Sequence, residues 1–140
     1  MLGARGVIFG SGAIRELMRE VDEERALKLA ANESAARNSN ERLSRLAASH
    51  RFAPHQRVPF VCECADAKCH EIVMLSLDEY EGLRTHPGRF LLVAGHEDAE
   101  ATYERIVEAE NGYAIVEKLG VAGREAARLD PRHTRTLGDG

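Results

Sequence analysis

Three cysteines within eight residues constrain the fold of this chain more than any other feature. Cys62, Cys64 and Cys69 are the only cysteines among 140 residues. An odd number packed this closely does not form a disulfide framework, whereas three thiolates on one short loop suit a soft metal ion. The sequence therefore predicts a structural zinc site (Zn²⁺) that needs one further ligand.

The spacing of the cysteines predicts how the three sulfurs converge. Side chains alternate along an extended segment, so Cys62 and Cys64 point to the same side. Residues 65–68 then form a turn that returns Cys69 to the pair. A set of small buried hydrophobic residues and a redox-sensing thiol cluster are the two alternatives for these side chains.

A histidine is the expected fourth ligand. His96 is favoured because it follows a predicted strand and Gly95, where a backbone kink can aim the imidazole inward. The other candidates for this position are His70, His86 and His55, and a water molecule is a further alternative.

Apolar periodicity and turn residues predict an α+β fold, in which a small, mainly antiparallel sheet follows a long N-terminal helix. Ser76 and Glu79 form a capping box that begins a short helix. Asn111-Gly112 is a strong hairpin signal. The predicted strands cover residues 58–62, 72–75, 89–94, 103–108 and 113–118, and a last helix covers 122–129.

These elements divide the chain into four parts. We expect a flexible N-terminus at 1–12, an N-terminal helical segment at 13–50, a zinc-binding α+β domain at 51–132 and a disordered tail at 133–140. The helical segment begins with an apolar stripe at helical spacing. The stripe consists of Ile14, Leu17, Met18 and Val21.

The middle of the long helix is polar and contains a short repeat, because Asn32-Glu33 recurs eight residues later as Asn40-Glu41. Eight residues are about 2.2 helical turns, so both pairs lie close to one face. We interpret this face as solvated, with support from Glu–Arg pairs four residues apart. The alternative is a docking surface, since a helix of this length is expected to pack against the domain or a second copy.

Several short strings resemble those of a group of small actinobacterial proteins. The strings are Pro59–Cys64 with Cys69, Leu77–Arg84, Arg89-Phe90, Gly95-His96-Glu97, Val116–Lys118 and Asp130–Arg132. The resemblance covers residues 25–132, and residues 1–20 lie outside it. It implies a Cys3His zinc site made by Cys62, Cys64, Cys69 and His96, and it implies no particular activity.

Charge is unevenly distributed along the chain. Residues 1–60 carry ten basic and seven acidic side chains, which gives +3, whereas residues 61–130 carry seven basic and fifteen acidic side chains, which gives −8. The acidic half would repel a phosphate backbone, so nucleic-acid binding is disfavoured. The residues that would carry it are Arg37, Arg42, Arg45, Arg51 and Arg57.

A catalytic metal is also disfavoured. Glu97 and Glu63 are the carboxylates that could serve a metal-dependent hydrolase as general base. However, the sequence has no H-E-x-x-H motif, and three thiolates weaken a metal ion as a Lewis acid. The sequence also lacks the G-x-S-x-G and Walker A motifs.

The function predicted from the sequence is therefore a non-enzymatic, zinc-stabilised interaction or regulatory module. Its N-terminal helix would dock on a protein partner or on itself. The alternatives are a nucleic-acid-associated transcriptional regulator and a metal-dependent hydrolase. With no apolar run near the roughly 20 residues of a membrane span, no signal-peptide pattern and a free-thiol cluster, we expect a cytoplasmic protein without a membrane partner.

Overall fold

A computed structural model describes residues 10–98 and 102–132 of the chain. The described part has the predicted α+β fold, with a long helix in front of antiparallel strands. The elements in chain order are α1 (Gly10–Ser49), β1 (Arg57–Val61), β2 (Ile72–Ser76), α2 (Leu77–Leu83), β3 (Arg89–Val93), β4 (Glu104–Glu110), β5 (Tyr113–Lys118) and α3 (Gly120–Leu129).

The boundaries at the chain ends differ in part from the prediction. Helix α1 begins at Gly10, so residues 10–12 of the predicted N-terminal part form its first turn. The rest of the predicted flexible N-terminus, residues 1–9, and the predicted disordered tail, 133–140, lie outside the described residues.

The strands form two small sheets where the sequence predicted one. Strands β1 and β2 pair antiparallel, and β5 lies between β3 and β4 in a three-stranded antiparallel sheet. The cysteine loop, residues 62–71, connects β1 to β2. The two sheets meet at this loop, where the amide of Glu63 donates to the carbonyl of Leu91 on β3 at 2.7 Å.

Two local signals in the sequence form the structures that they predict. Ser76 accepts a hydrogen bond from the amide of Glu79, whose side chain accepts one from the amide of Ser76, and α2 begins there. Asn111-Gly112 joins β4 to β5, and Gly112 has a φ of 91°, a conformation that costs glycine little.

The core has two apolar clusters, and both include residues of the three-stranded sheet. In the first, Phe60 stacks on Tyr80 with ring centroids 4.3 Å apart. In the second, the cysteine loop packs against Phe90, Val116 and Ala126. The cysteine loop is therefore part of the core and not an appendage.

Helix α1 has two parts with different surroundings. Residues 11–25, which we call the free segment, are exposed at every position except the half-buried Glu23. From Ala26 onward one face of the helix is buried against the domain. The helical segment predicted for 13–50 is therefore only partly separate from the domain.

The polar face of α1 is buried, so its interpretation as a solvated surface is wrong. Glu33, Arg37, Asn40 and Glu41 are each at most 3% exposed. Their partners come from distant parts of the same chain. Lys118 pairs with Glu33, while Arg84 and Arg132 pair with Glu41. The face therefore docks on the chain's own domain.

Arg37 joins α1 to two other parts of the domain. Its guanidinium donates to the carbonyl oxygens of Pro87 and Ala126, at 2.6 and 2.8 Å. It also lies over the ring of Phe90, 4.5 Å from the centroid. Carbonyl dipoles and an aromatic face partly replace the hydration that the cation loses on burial.

A second buried network connects α1, α2 and the C-terminal end of α3. The guanidinium of Arg84 donates to Glu41 at 3.0 Å and to Asp130 at 2.5 Å. Arg132 bridges Glu41 and Glu81. Although burial opposes ionisation of Glu41, hydrogen bonds from Arg132 and the charge of Arg84 hold its pKa below the usual value.

Candidate metal centre

Four side chains form a group that can hold one metal ion. Their ligand atoms lie within 4.8 Å of one another. The Nδ1 atom of His96 is 3.5 Å from the sulfur of Cys62 and 3.6 Å from that of Cys69. A tetrahedral zinc ion separates a sulfur from a nitrogen ligand by about 3.6 Å, given its usual bond lengths. The group consists of Cys62, Cys64, Cys69 and His96.

The backbone positions each ligand. Cys62 and Cys64 leave β1 on alternate residues, as the sequence predicted, and both are buried. The amide of Cys69 donates to the carbonyl of Asp66 at 3.0 Å, and this tight turn brings the third sulfur back to the other two. His96 follows β3 and Gly95, which has a φ of 94°. The predicted kink at this glycine is confirmed.

The surroundings of the sulfurs are suited to thiolates that are bound to a cation. Burial raises the pKa of Cys62 to about 12, and it also raises the pKa of Cys64. Two buried thiolates therefore require a compensating positive charge, which a metal dication supplies. The amide of Val93 donates to the Cys62 sulfur at 3.2 Å, and the amide of Asp66 interacts favourably with the Cys64 thiolate.

Glu71 orients the histidine. Its carboxylate lies 3.0 Å from the Nε2 atom of His96, on the side of the ring opposite the sulfurs. A carboxylate that accepts the outer ring N–H fixes the tautomer in which Nδ1 faces the metal and makes that nitrogen a better ligand. Sequence reasoning missed Glu71, since one acidic residue near a cysteine loop carries no distinctive signal.

Replacing Glu71 with glutamine is expected to lower the metal affinity of the centre by about tenfold to one hundredfold. The amide is a poorer acceptor for the imidazole N–H and leaves the ring less firmly oriented. Competition with a chromogenic zinc chelator measures the effect. His96→Ala should cause a larger loss, whereas His70→Ala changes an exposed neighbour outside the group and should cause none. Equal affinity of wild type and Glu71→Gln would contradict this role.

Glu63 lies between two of the cysteines in sequence but points away from the metal group. Its side chain is fully buried and accepts hydrogen bonds from Asn40 and Tyr80, both at 2.8 Å, and from the amide of Leu91 at 2.9 Å. Burial raises its pKa, and these hydrogen bonds oppose the shift. Glu63 therefore ties the cysteine loop to α1, α2 and β3 and does not face the metal position.

The other candidate residues lie elsewhere. His70, His86 and His55 are outside the group of four. Glu97, considered as a general base, accepts the amide of Gly95 at 3.0 Å. Arg37, considered as a nucleic-acid contact, is buried inside the domain, and its assignment to a binding surface is wrong. The remaining arginines of that set are exposed: Arg42, Arg45, Arg51 and Arg57.

A cavity of about 240 Å³ lies beside the metal centre. Its lining includes His96, Leu92 and the buried ion pairs of Lys118 with Glu33 (2.5 Å) and with Glu104. The Oε1 atom of Glu33 has no hydrogen-bond partner among the described residues. Burial raises the pKa of Glu33 to about 7, against the attraction of Lys118.

This shift predicts a pH dependence that Glu33→Gln should remove. The folded chain holds the Glu33 proton up to about pH 7, whereas the usual value is 4.5. Between these values the folded state binds more protons, so stability falls as the pH rises, by at most about 3 kcal/mol. Denaturant titrations of holo protein across this pH window should show that the variant loses less stability than wild type as the pH rises. Glu20→Gln, at an exposed position of α1, is the control, and parallel pH curves for Glu33→Gln and wild type would contradict the prediction.

Comparison with protein-family models, curated proteins and solved structures finds no match to this chain. Among the described residues, no helix is both long and apolar enough to span a membrane. The functional interpretation therefore depends on the metal centre and on the surfaces of the chain itself.

Proposed function

We propose that the chain is a zinc-stabilised, non-enzymatic interaction module that docks through the free segment of α1. The observation that carries the proposal is the contrast between the two ends of this helix. Its C-terminal part is buried on the domain that surrounds the metal centre, whereas residues 11–25 present exposed apolar side chains to solvent. Exposed apolar patches of this kind mark interaction sites.

The donor set supports zinc as the metal. Three sulfurs and one imidazole nitrogen at tetrahedral spacing are typical of zinc sites, and oxygen-preferring ions such as Mg²⁺ and Ca²⁺ are poorly matched to them. Four protein ligands leave no open position, which is the arrangement of structural sites. A reducing cytoplasm would keep the thiolates available for the metal.

The positions of the candidate bases support a structural and not a catalytic role. Glu63 is held in the core by three hydrogen bonds, and Glu97 is engaged with the backbone at Gly95. A hydrolytic zinc site requires a bound water and a base beside it. A closed Cys3His centre, with these two carboxylates directed elsewhere, supplies neither.

Elemental analysis tests the metal assignment. Protein purified without added metal should contain one zinc per chain, and Cys64→Ser should contain far less. His70→Ala, an exposed neighbour of Cys69, should retain the full amount. Purified wild-type chain without a bound transition metal would contradict the proposal.

Site-specific photo-crosslinking tests the docking surface. A photoreactive amino acid at position 17 lies on the apolar stripe, and one at position 16 lies on the opposite face of the same exposed helix. In cells that express the chain, position 17 should give a discrete crosslinked protein species and position 16 should not. Equal crosslinking from both positions, or none from position 17, would overturn docking through this face.

A further inference from the structure

The free segment carries an apolar stripe with no cover from the domain. Its four side chains are about half exposed, between 47% and 62%, and they lie at helical spacing on one face. A helix end of about fifteen residues is marginally stable in water unless its apolar face is packed. The stripe consists of Ile14, Leu17, Met18 and Val21.

We propose that this stripe is covered by the same stripe of a second copy of the chain, with the two helices antiparallel. The inference rests on the proposed docking function and names the partner. The order of residues in the stripe is the first reason. An antiparallel pair with its twofold axis between Leu17 and Met18 sets these two opposite each other, and it sets Ile14 opposite Val21 of the second copy. All four apolar side chains then pack in one isologous contact.

The length of the free segment is the second reason. With the axis at this point, residue 10 of one helix lies level with residue 25 of the other. Residue 25 is the last exposed position before α1 becomes buried at Ala26. The two free segments therefore overlap along their whole length, and the two domains lie at opposite ends of the pair.

The charges of the free segment give the third reason. Its C-terminal half carries four carboxylates together with Arg19 and Arg25, whereas its N-terminal half carries Arg15 and Glu16. A parallel pair would place the four carboxylates beside their own copies, which is unfavourable. An antiparallel pair moves the last three of them to the end of the contact opposite their own copies, beside the half that carries Arg15. The four carboxylates are Glu20, Asp22, Glu23 and Glu24.

One charge pair is specific to this arrangement. Arg15 and Asp22 are seven residues apart, so they lie along the same edge of the stripe. In an antiparallel pair the same edges face each other, and Arg15 lies within about two residues, or 3 Å along the axis, of Asp22 from the second copy. The twofold axis produces this pair twice.

Sedimentation of the full-length holo chain over a concentration series tests the proposal. The contact is small, so we expect a reversible dimer with a dissociation constant of about 100 µM, as for weak transient interfaces. Leu17→Glu places one carboxylate from each copy near the twofold axis of the dimer and should weaken dimerisation by at least about tenfold. Leu46→Glu is the matched control, because Leu46 is 55% exposed on the same helix but lies far from the free segment. It should dimerise like wild type.

Charge reversal tests the orientation. Arg15→Asp and Asp22→Arg should each weaken the dimer by about tenfold at low salt, because two attractive pairs become repulsive at once. The double variant Arg15→Asp/Asp22→Arg should restore the wild-type affinity. Failure of the double variant to recover would overturn the antiparallel register.

The outcomes also separate this inference from the function on which it rests. A wild-type chain that stays monomeric, while the crosslinker at position 17 captures a different protein, would overturn self-association and leave the docking function standing. A monomeric chain without any crosslinked species would overturn both.

Discussion

Removing the metal, by chelation or by Cys64→Ser, is expected to abolish the cooperative unfolding transition of the domain near room temperature. The cysteine loop, residues 62–71, has no regular secondary structure of its own, yet its cysteines form part of the second core cluster. Structural zinc contributes about 10–16 kcal/mol in small domains, which equals or exceeds the 5–15 kcal/mol of a typical net stability. Loss of one ligand therefore removes most of the folding free energy.

Circular dichroism melting of holo, chelated and Cys64→Ser protein measures this effect. Serine is close to cysteine in size, so the loss reflects the metal ligand and not a cavity. His70→Ala, in the same loop but exposed, should melt with the wild type. Coincident melting curves for holo and chelated protein would show that the metal does not hold the domain together.

Arg37→Ala is expected to destabilise the domain by about 3–5 kcal/mol. The variant leaves the carbonyls of Pro87 and Ala126 without their donor and opens a cavity against the ring of Phe90. Each buried acceptor left unpaired costs about 1–3 kcal/mol, and the lost packing adds to that. Arg37→Lys should recover little, since an ammonium does not reproduce the planar fork that reaches both carbonyls.

Arg42→Ala is the matched control for this prediction. Arg42 lies on the same helix, is exposed and contacts Ser39 within its own helix, so its removal should change stability by at most about 0.5 kcal/mol. Urea denaturation of the zinc-loaded proteins gives both values. If the two variants were equally stable, the buried contacts of Arg37 would contribute nothing net.

The sequence predicted the features that depend on neighbouring residues. The strand–turn–strand course of the cysteine loop, the capping box at Ser76 and the turn at Asn111-Gly112 are all encoded within about ten residues. Gly95 is also a local signal, and it predicts His96 as the fourth ligand. The structure places it 3.5–3.6 Å from two of the sulfurs.

The polar face of α1 was misread because its partners are remote in the chain. Arg37 reaches Ala126, 89 positions away, and Glu41 reaches Arg132, 91 positions away. Glutamate and arginine on a helix usually face water, and amphipathic periodicity carries no information about a distant partner that would justify burying them. The division into two sheets was missed for the same reason, because strand spacing does not specify which strands pair.

The continuity of α1 has a mechanical consequence. Buried contacts hold the helix from Ala26 onward, among them those of Asn40 to β1 and to the Glu63 carboxylate. Ile14 lies 12 residues beyond Ala26, or about 18 Å along the axis. A bend of about ten degrees at Ala26 would therefore move Ile14 by about 3 Å without disturbing the candidate metal centre.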